Sequence, residues 1–216
     1  MRGVPDEAVA AAKPTRKERE LKFRTELVLD AAEEVFAESS FAQTSVEDIA
    51  RRAEVSVGTL YNLFHSKEDI YREVVSRSHK LFFDTLIEKI DGVRGPQEKV
   101  RAAVAHFFEH FSHYSRHFRL YVSASNGFQW ELTSKMVGEA AESQALVFMR
   151  MCEVCQQGLD QGIFRSGVPA EMLVTTLLGV PHSFLTYWLE RDDVELLSLL
   201  PAALETVDRI VGVEGS

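Results

Sequence analysis

The chain has 216 residues, 45% of them apolar, with 24 basic side chains against 33 acidic ones and a formal net charge of −9. That length can bury a sizeable core in one or two domains, and two, one small and one large, fit the organisation below. No stretch approaches the roughly 18 to 20 uncharged apolar residues that span a bilayer, and Val9 to Ala12 is too short for a secretory apolar segment, so a cytoplasmic protein without membrane partners is expected.

Residues 1 to about 20 are rich in Ala, Pro and charge without any period, which reads as a segment disordered when unbound. Residues 13–24 nevertheless hold six basic groups (Lys13, Arg16, Lys17, Arg19, Lys22, Arg24) against Glu18 and Glu20. The local charge is +4, leaving −13 for the rest, and 1–23 is taken as a flexible basic arm. Val28, Ala31, Ala32, Val35 and Phe36 then place one apolar face on a helix ending near Ser39-Ser40.

Next come two short helices and a tight turn. Thr44 with Glu47 reads as a capping box, and Val46, Ile49, Ala50 and Ala53 follow at i, i+3, i+4 and i+7. Glu54-Val55 connects, Ser56 caps the second helix, Leu60 and Phe64 point inward, and Gly58, Thr59, Asn62 and Leu63 point outward. Ser66 caps a third helix with acids in its first turn. Two short helices in this arrangement are the smallest unit that seats a helix in the DNA major groove. The negative total charge argues against phosphate binding. Its distribution reverses that, although Thr25 to Ala50 holds no Lys or Arg, so cationic contact falls to the arm, Arg51, Arg52 and Lys67.

The third helix runs from Ser66 to about Ile90, and Asp91 to Pro96 is a break with Pro96 suited to open the next helix. That helix continues through Tyr114, and a short one ends at Asn126-Gly127. Further helices cover about Ser134 to Asp160, Ala170 to Glu190 and Val194 to Val211. No strand alternation and no repeat is found, so the fold is expected to be all-α, with domains at 24–75 and 76–216.

The run from Arg24 to about Val75 resembles the N-terminal domain of TetR-type (tetracycline-repressor) transcriptional regulators. The likeness rests on Thr44-Ser-x-x-x-Ile-Ala and Val55-Ser-x-Gly-Thr-Leu-Tyr-x-x-Phe-x-Ser-Lys67. It implies phosphate contacts from Thr44, Ser45, Thr59, Tyr61 and Lys67, and positions near base edges for Val57, Gly58 and Asn62. Asn62 could bond bidentately to adenine and Val57 could touch a thymine methyl. Ser40 and Glu54 stand where many members carry glycine, so those turns are expected to form without free access to positive φ, and Leu63 stands where relatives often carry histidine.

Leu173, Leu177, Val180, Phe184 and Tyr187, and likewise Val137, Ala140, Gln144, Val147, Met151 and Val154, step as helix-packing seams. They fit an intramolecular core, but the resemblance implies a homodimer built by pairing these helices. Pro181 is expected to kink its helix.

A ring stripe at helical spacing, Phe107, Phe111, Tyr114, Phe118 and Tyr121 with Phe128 and Trp130 beyond, is ordinarily core. The resemblance turns it into the wall of an effector pocket for a small hydrophobic molecule, completed by Phe148, Met149, Met151, Cys152, Phe184 and Trp188, with His110, Tyr114, Arg119 and Gln144 as polar anchors. His106-Phe-Phe-Glu-His110 matches a zinc-peptidase pattern, extended by His113 and His117, but no third ligand is identifiable; the histidines read as a partly solvated polar border. Cys152 and Cys155 have C-x-x-C spacing inside a helix, outside the context of a redox motif.

The expectation is a non-enzymatic, ligand-responsive repressor. It would bind double-stranded DNA as a homodimer on a palindromic operator, with no cofactor or metal. The alternatives are an activator, a protein-responsive regulator, or a helical metal-dependent hydrolase using His106, Glu109 and His110.

Overall fold

The computed structural model describes residues 13, 15–39, 41, 43–114, 139–191 and 193–212. Among them the fold is all-α: α1 Arg16–Glu38, α2 Val46–Arg52, α3 Val57–Leu63, α4 Lys67–Asp91, α5 Pro96–His113, α6 Glu139–Asp160, α7 Ala170–Leu189, a 3-10 turn Leu196–Leu199 and α8 Leu200–Ile210. The short helix expected before Gly127 and the start of the following one, at 134–138, lie outside the described residues.

Helix α1 begins earlier than the composition suggests. Thr15 Oγ1 accepts from the Glu18 amide at 3.2 Å and the Glu18 carboxylate accepts from the Thr15 amide at 2.7 Å. This capping box starts the helix ahead of the basic cluster, so Arg16 to Arg24 ride on a helix rather than on a flexible arm. For α2 the cap is Ser45 with Asp48, one residue later than Thr44 with Glu47, because Ser45 is the extended residue whose hydroxyl reaches the amide three residues on.

Two cores result. In the smaller, Val28, Ala32 and Phe36 of α1, Ile49 of α2, Leu60 of α3 and Ile70 and Val74 of α4 pack together. In the larger, Phe82, Leu86 and Ile90 of α4 meet Phe107, Phe108 and Phe111 of α5, Val147, Met151 and Val154 of α6, Leu173, Leu177 and Leu185 of α7, and Ala203 and Val207 of α8. Helix α4 thus belongs to both. Where it crosses from one to the other, the Arg77 guanidinium bonds Asp30 at 2.6 Å, Glu33 at 2.7 Å and Glu26 at 3.2 Å, fastening α4 to α1.

Two helix ends close alike. After α2 the Val55 amide bonds the Ala50 carbonyl and the Glu54 amide that of Arg51; after α6 the Ile163 amide bonds the Gly158 carbonyl and the Gly162 amide that of Leu159. Both need a left-handed residue. Gly162 supplies it at φ 67° and Glu54 at φ 56°, so the first turn does use positive φ, against expectation and against the intrinsic preference of a side chain with a Cβ. At Gly158 an added Cβ would stand 2.2 Å from the Phe164 ring, which is why the chain can turn back against α6 there.

The sequence-based membrane and seam readings both need correction at α7. Its 20 residues reach a mean hydropathy of 1.2 over an 18-residue window and are long and apolar enough, by length and composition alone, to cross a bilayer. Uncharged Thr, Ser, Gly and His between the aliphatics, with Glu171 the only ionised side chain, produce this. Leu173, Leu177 and Val180, taken as a pairing seam, are buried in the larger core, as are Val147, Met151 and Val154 of α6, and Ala140 is buried too. The outward face of α7 is instead Met172, Thr175, Thr176, Gly179, Ser183, Thr186 and Tyr187, with Glu171 at its start as the one charge. Pro181 lies within this continuous helix.

Candidate nucleic-acid interface and effector core

The presentation of α3 follows from one buried face. Leu60 is fully buried and Phe64 nearly so, which turns Gly58, Tyr61 and Asn62 to solvent. Ser56 caps the helix through the Thr59 amide at 3.0 Å, and its hydroxyl also meets that of Thr59 at 2.8 Å, so Thr59 is half-covered and already engaged. Val57 and Leu63 are half-buried against the smaller core; Leu63 leans inward, where the periodicity had put it outside.

The residues assigned to phosphate divide. Tyr61 is 51% exposed and free to reach a backbone. Thr44 is buried, and its carbonyl accepts from the Lys67 ammonium at 2.8 Å. Lys67 also bonds the Phe41 carbonyl at 2.7 Å and sits 4.3 Å above the Phe41 ring, so it fastens the loop before α2 to the start of α4. The Ser45 hydroxyl donates to Asp48 at 2.5 Å, and this bond holds the Asp48 carboxyl below its ordinary range.

Cations on the body are likewise committed. Arg52 bonds Glu34 at 2.7 Å and Glu38 at 2.8 Å, and Glu38 foremost raises its pKa. Arg51 meets Asp48 at 2.9 Å but keeps 76% of its side chain exposed. The sequence listing of cations could not show this pairing, because Glu34 and Glu38 lie 18 and 14 residues from Arg52. Exposed positive charge on the DNA-binding unit therefore resides mainly on the first turns of α1, with Arg51.

In the larger core, the inner residues of the ring stripe are where the spacing put them, with Phe107 and Phe111 buried. Tyr114 ends α5 and is 45% exposed; Phe118, Arg119, Tyr121, Phe128 and Trp130 lie outside the described residues. Phe148, Cys152, Phe184 and Trp188 pack half-buried against this core, and Gln144 is half-buried on α6.

The histidines correct the idea of a solvated border. His106 and His110 are buried around Phe82, with ring centroids 4.9 and 5.1 Å from it. His106 Nε2 bonds the Phe82 carbonyl at 3.1 Å, and burial pushes its pKa down. His182, on α7, stacks edge-on to Phe107 at 5.6 Å and is also pushed down by burial. His113 is exposed at the end of α5, and His117 is not described. Among the described residues no three His, Cys, Asp or Glu side chains converge as metal ligands. Burial pushes the Cys155 thiol up to about 12 and raises Cys152 too, opposite to what thiolate chemistry requires.

Comparison with known proteins bears first on the smaller core. Residues 28–74 match the bacterial regulatory proteins of the tetR family. That stretch of the chain is a TetR-type DNA-binding domain. Over 146 residues, 68% of this chain and 72% of the relative, the chain is 23% identical to the transcriptional repressor KstR2 of Mycobacterium tuberculosis. It is also 27% identical over 170 residues, 76% of its length and 72% of the relative, to the transcriptional activator FasR of Mycolicibacterium smegmatis. The fold of the chain is that of FadR from Bacillus subtilis, solved with stearoyl-CoA, at a TM-score of 0.67 and 21% identity, covering 88% of this chain and 99% of that one.

Proposed function

We propose that this protein is a cytoplasmic repressor that binds double-stranded DNA as a homodimer and lets go when a hydrophobic small molecule enters its larger core. The observation that carries the DNA part is the exposed row Gly58, Tyr61 and Asn62 on a helix whose opposite face, Leu60 and Phe64, is locked into the smaller core. The assigned contacts are then Asn62, Gly58 and Val57 at base edges and Tyr61, Thr59, Ser45, Thr44 and Lys67 along phosphates, with Thr44 and Lys67 acting chiefly by holding the loop. So thin a set of base contacts favours readout of DNA shape and a contribution from the basic start of α1.

The outward face of α7 supports pairing of two copies. The hydroxyls of Thr175, Thr176, Ser183 and Thr186 each bond the carbonyl four residues back, at 2.8–2.9 Å, leaving few polar atoms to desolvate. Leu146 and Met149 of neighbouring α6 are 44% and 57% exposed and extend the surface. A dimer sets two recognition helices about 34 Å apart, one turn of DNA.

Release follows from α4. Its first half packs with α2 and α3, its second half with α5 and α6, and Arg77 fixes α1 to the crossing point. An effector that prefers a conformer with α4 displaced would move both recognition helices off their spacing, and a coupling of about 1–3 kcal/mol gives roughly 5- to 150-fold relief. The likeness to a protein solved with stearoyl-CoA supports a long acyl chain as effector class. The likeness to FasR favours activation as the second reading of the sign.

The test is footprinting on the DNA flanking the regulator's own gene, followed by titration of stearoyl-CoA. A protected near-palindrome that the acyl-CoA clears is the expected result. No protected site contradicts the DNA reading, and a site indifferent to acyl-CoA contradicts the effector class.

A further inference from the structure

The outward side of α1 carries an apolar patch that the described residues leave open. Phe23 is 63% and Leu27 39% exposed, and they line a groove of about 840 Å³ between α1 and the α2–α3 turn, with Ala31, Ala53 and Val55 as its floor. The groove's charges are four carboxylates, Glu20, Asp30, Glu34 and Glu54, and two guanidiniums. Both guanidiniums are already bound to carboxylates, Arg24 to Glu20 at 2.8 Å and Arg52 to Glu34 at 2.7 Å. Such a surface repels phosphate and suits a partner that is both apolar and basic.

The first turns of α1 have that chemistry. Residues 13–24 carry a local charge of +4 together with Leu21 and Phe23, and from Arg16 to Arg24 the helix is exposed on every side. Along one face, Arg16, Arg19, Phe23, Leu27, Asp30 and Glu34 recur at steps of three and four, the spacing of a helix-pairing seam. Read along the helix, the face runs basic, apolar, acidic. Turned end for end it complements itself, with Arg16 opposite Glu34, which Arg52 also holds, Arg19 near Asp30, which Arg77 also holds, and Phe23 against Leu27.

We propose that a second copy of this chain docks here, α1 antiparallel to α1, in a two-fold contact in which each copy's basic, apolar first turns fill the other's groove. This contact is separate from the α7 face and does not depend on DNA, so it would join two dimers into a tetramer. Six residues per copy make a small interface, so association is expected only at high protein concentration.

Sedimentation velocity of the full chain without DNA, from low to high micromolar, tests it. Wild type is expected to gain a species of twice the mass as concentration rises. Phe23→Asp is expected to abolish that step, and because Phe23 is mostly exposed the fold should survive. Arg16→Glu with Arg19→Glu is expected to weaken the same step, as is added salt. The proposal is overturned if wild type stays a single species throughout, if Phe23→Asp associates as wild type does, or if Phe23→Asp weakens DNA binding alone. Only the last of these outcomes concerns DNA, and it leaves the wild-type footprint as it is, so the two readings fail separately.

Discussion

The two cores of this regulator were built by different kinds of signal. The smaller takes in two very short helices between α1 and α4, and seven-residue segments such as α2 and α3 have no stability of their own, so caps and turns must define them. Those devices are local in sequence and can be read there: Ser56, Leu60, Phe64 and Ser66 do in the structure what their spacing indicated. The larger core is framed by helices of 18–25 residues whose apolar residues occur on several faces. A period then shows that a helix exists without showing which side turns inward.

That contrast can be broken by cutting into each core. Leu60 is fully buried in the smaller one, and Leu60→Ala is expected to remove about 2–5 kcal/mol. Calorimetry should show the smaller unit melting early and gel shifts should show specific DNA binding gone. Leu185→Ala, equally buried in the larger core, is expected to lose a similar amount while leaving DNA binding at low temperature intact. Equal loss of binding in both variants would mean that the cores are not separable in this sense.

A smaller effect sharpens the point about local signals. Glu54 holds a left-handed turn at φ 56° that Gly162 makes at φ 67° elsewhere in the chain. Glu54→Gly is expected to raise stability by about 1 kcal/mol, because the left-handed region disfavours a residue with a Cβ. Chemical denaturation would show it, and an unchanged or lowered midpoint would argue against the turn as described.

The smallest expected effect concerns acid, and it belongs to the larger core. His106 and His182 have folded pKa values pushed below the ordinary 6.5 by burial, His106 also by Lys89. The unfolded chain therefore takes up protons first. Stability from these groups is complete above about pH 6.5 and declines as pH falls through that value toward the lowered folded ones. A thermal melting series from neutral to acid pH should slope downward, less steeply in His106→Gln, while a slope identical in the variant would remove His106 from the account.

What was hidden in the sequence was hidden for stated reasons. The outward face of α7 escaped notice because threonine and serine that bond their own helix backbone behave as small apolar residues while reading as polar. Burial of His106 and His110 could not be inferred because it depends on Phe82, which lies on another helix, 24 residues before His106. The silencing of Arg52 depends on carboxylates of α1 that no local pattern places beside it. The helical start of α1, by contrast, was present as Thr15 and Glu18 and was outweighed by composition.

The central claim is that α3 reads base edges through its exposed row. The most direct measurement is fluorescence anisotropy of wild type and Asn62→Ala on the footprinted duplex and on a scrambled duplex of equal length. Loss of a bidentate contact of about 1–3 kcal/mol predicts roughly 5- to 150-fold weaker binding to the specific duplex, with the scrambled one unchanged. Undiminished specific affinity in the variant would contradict the assignment of α3 as the element that reads the sequence.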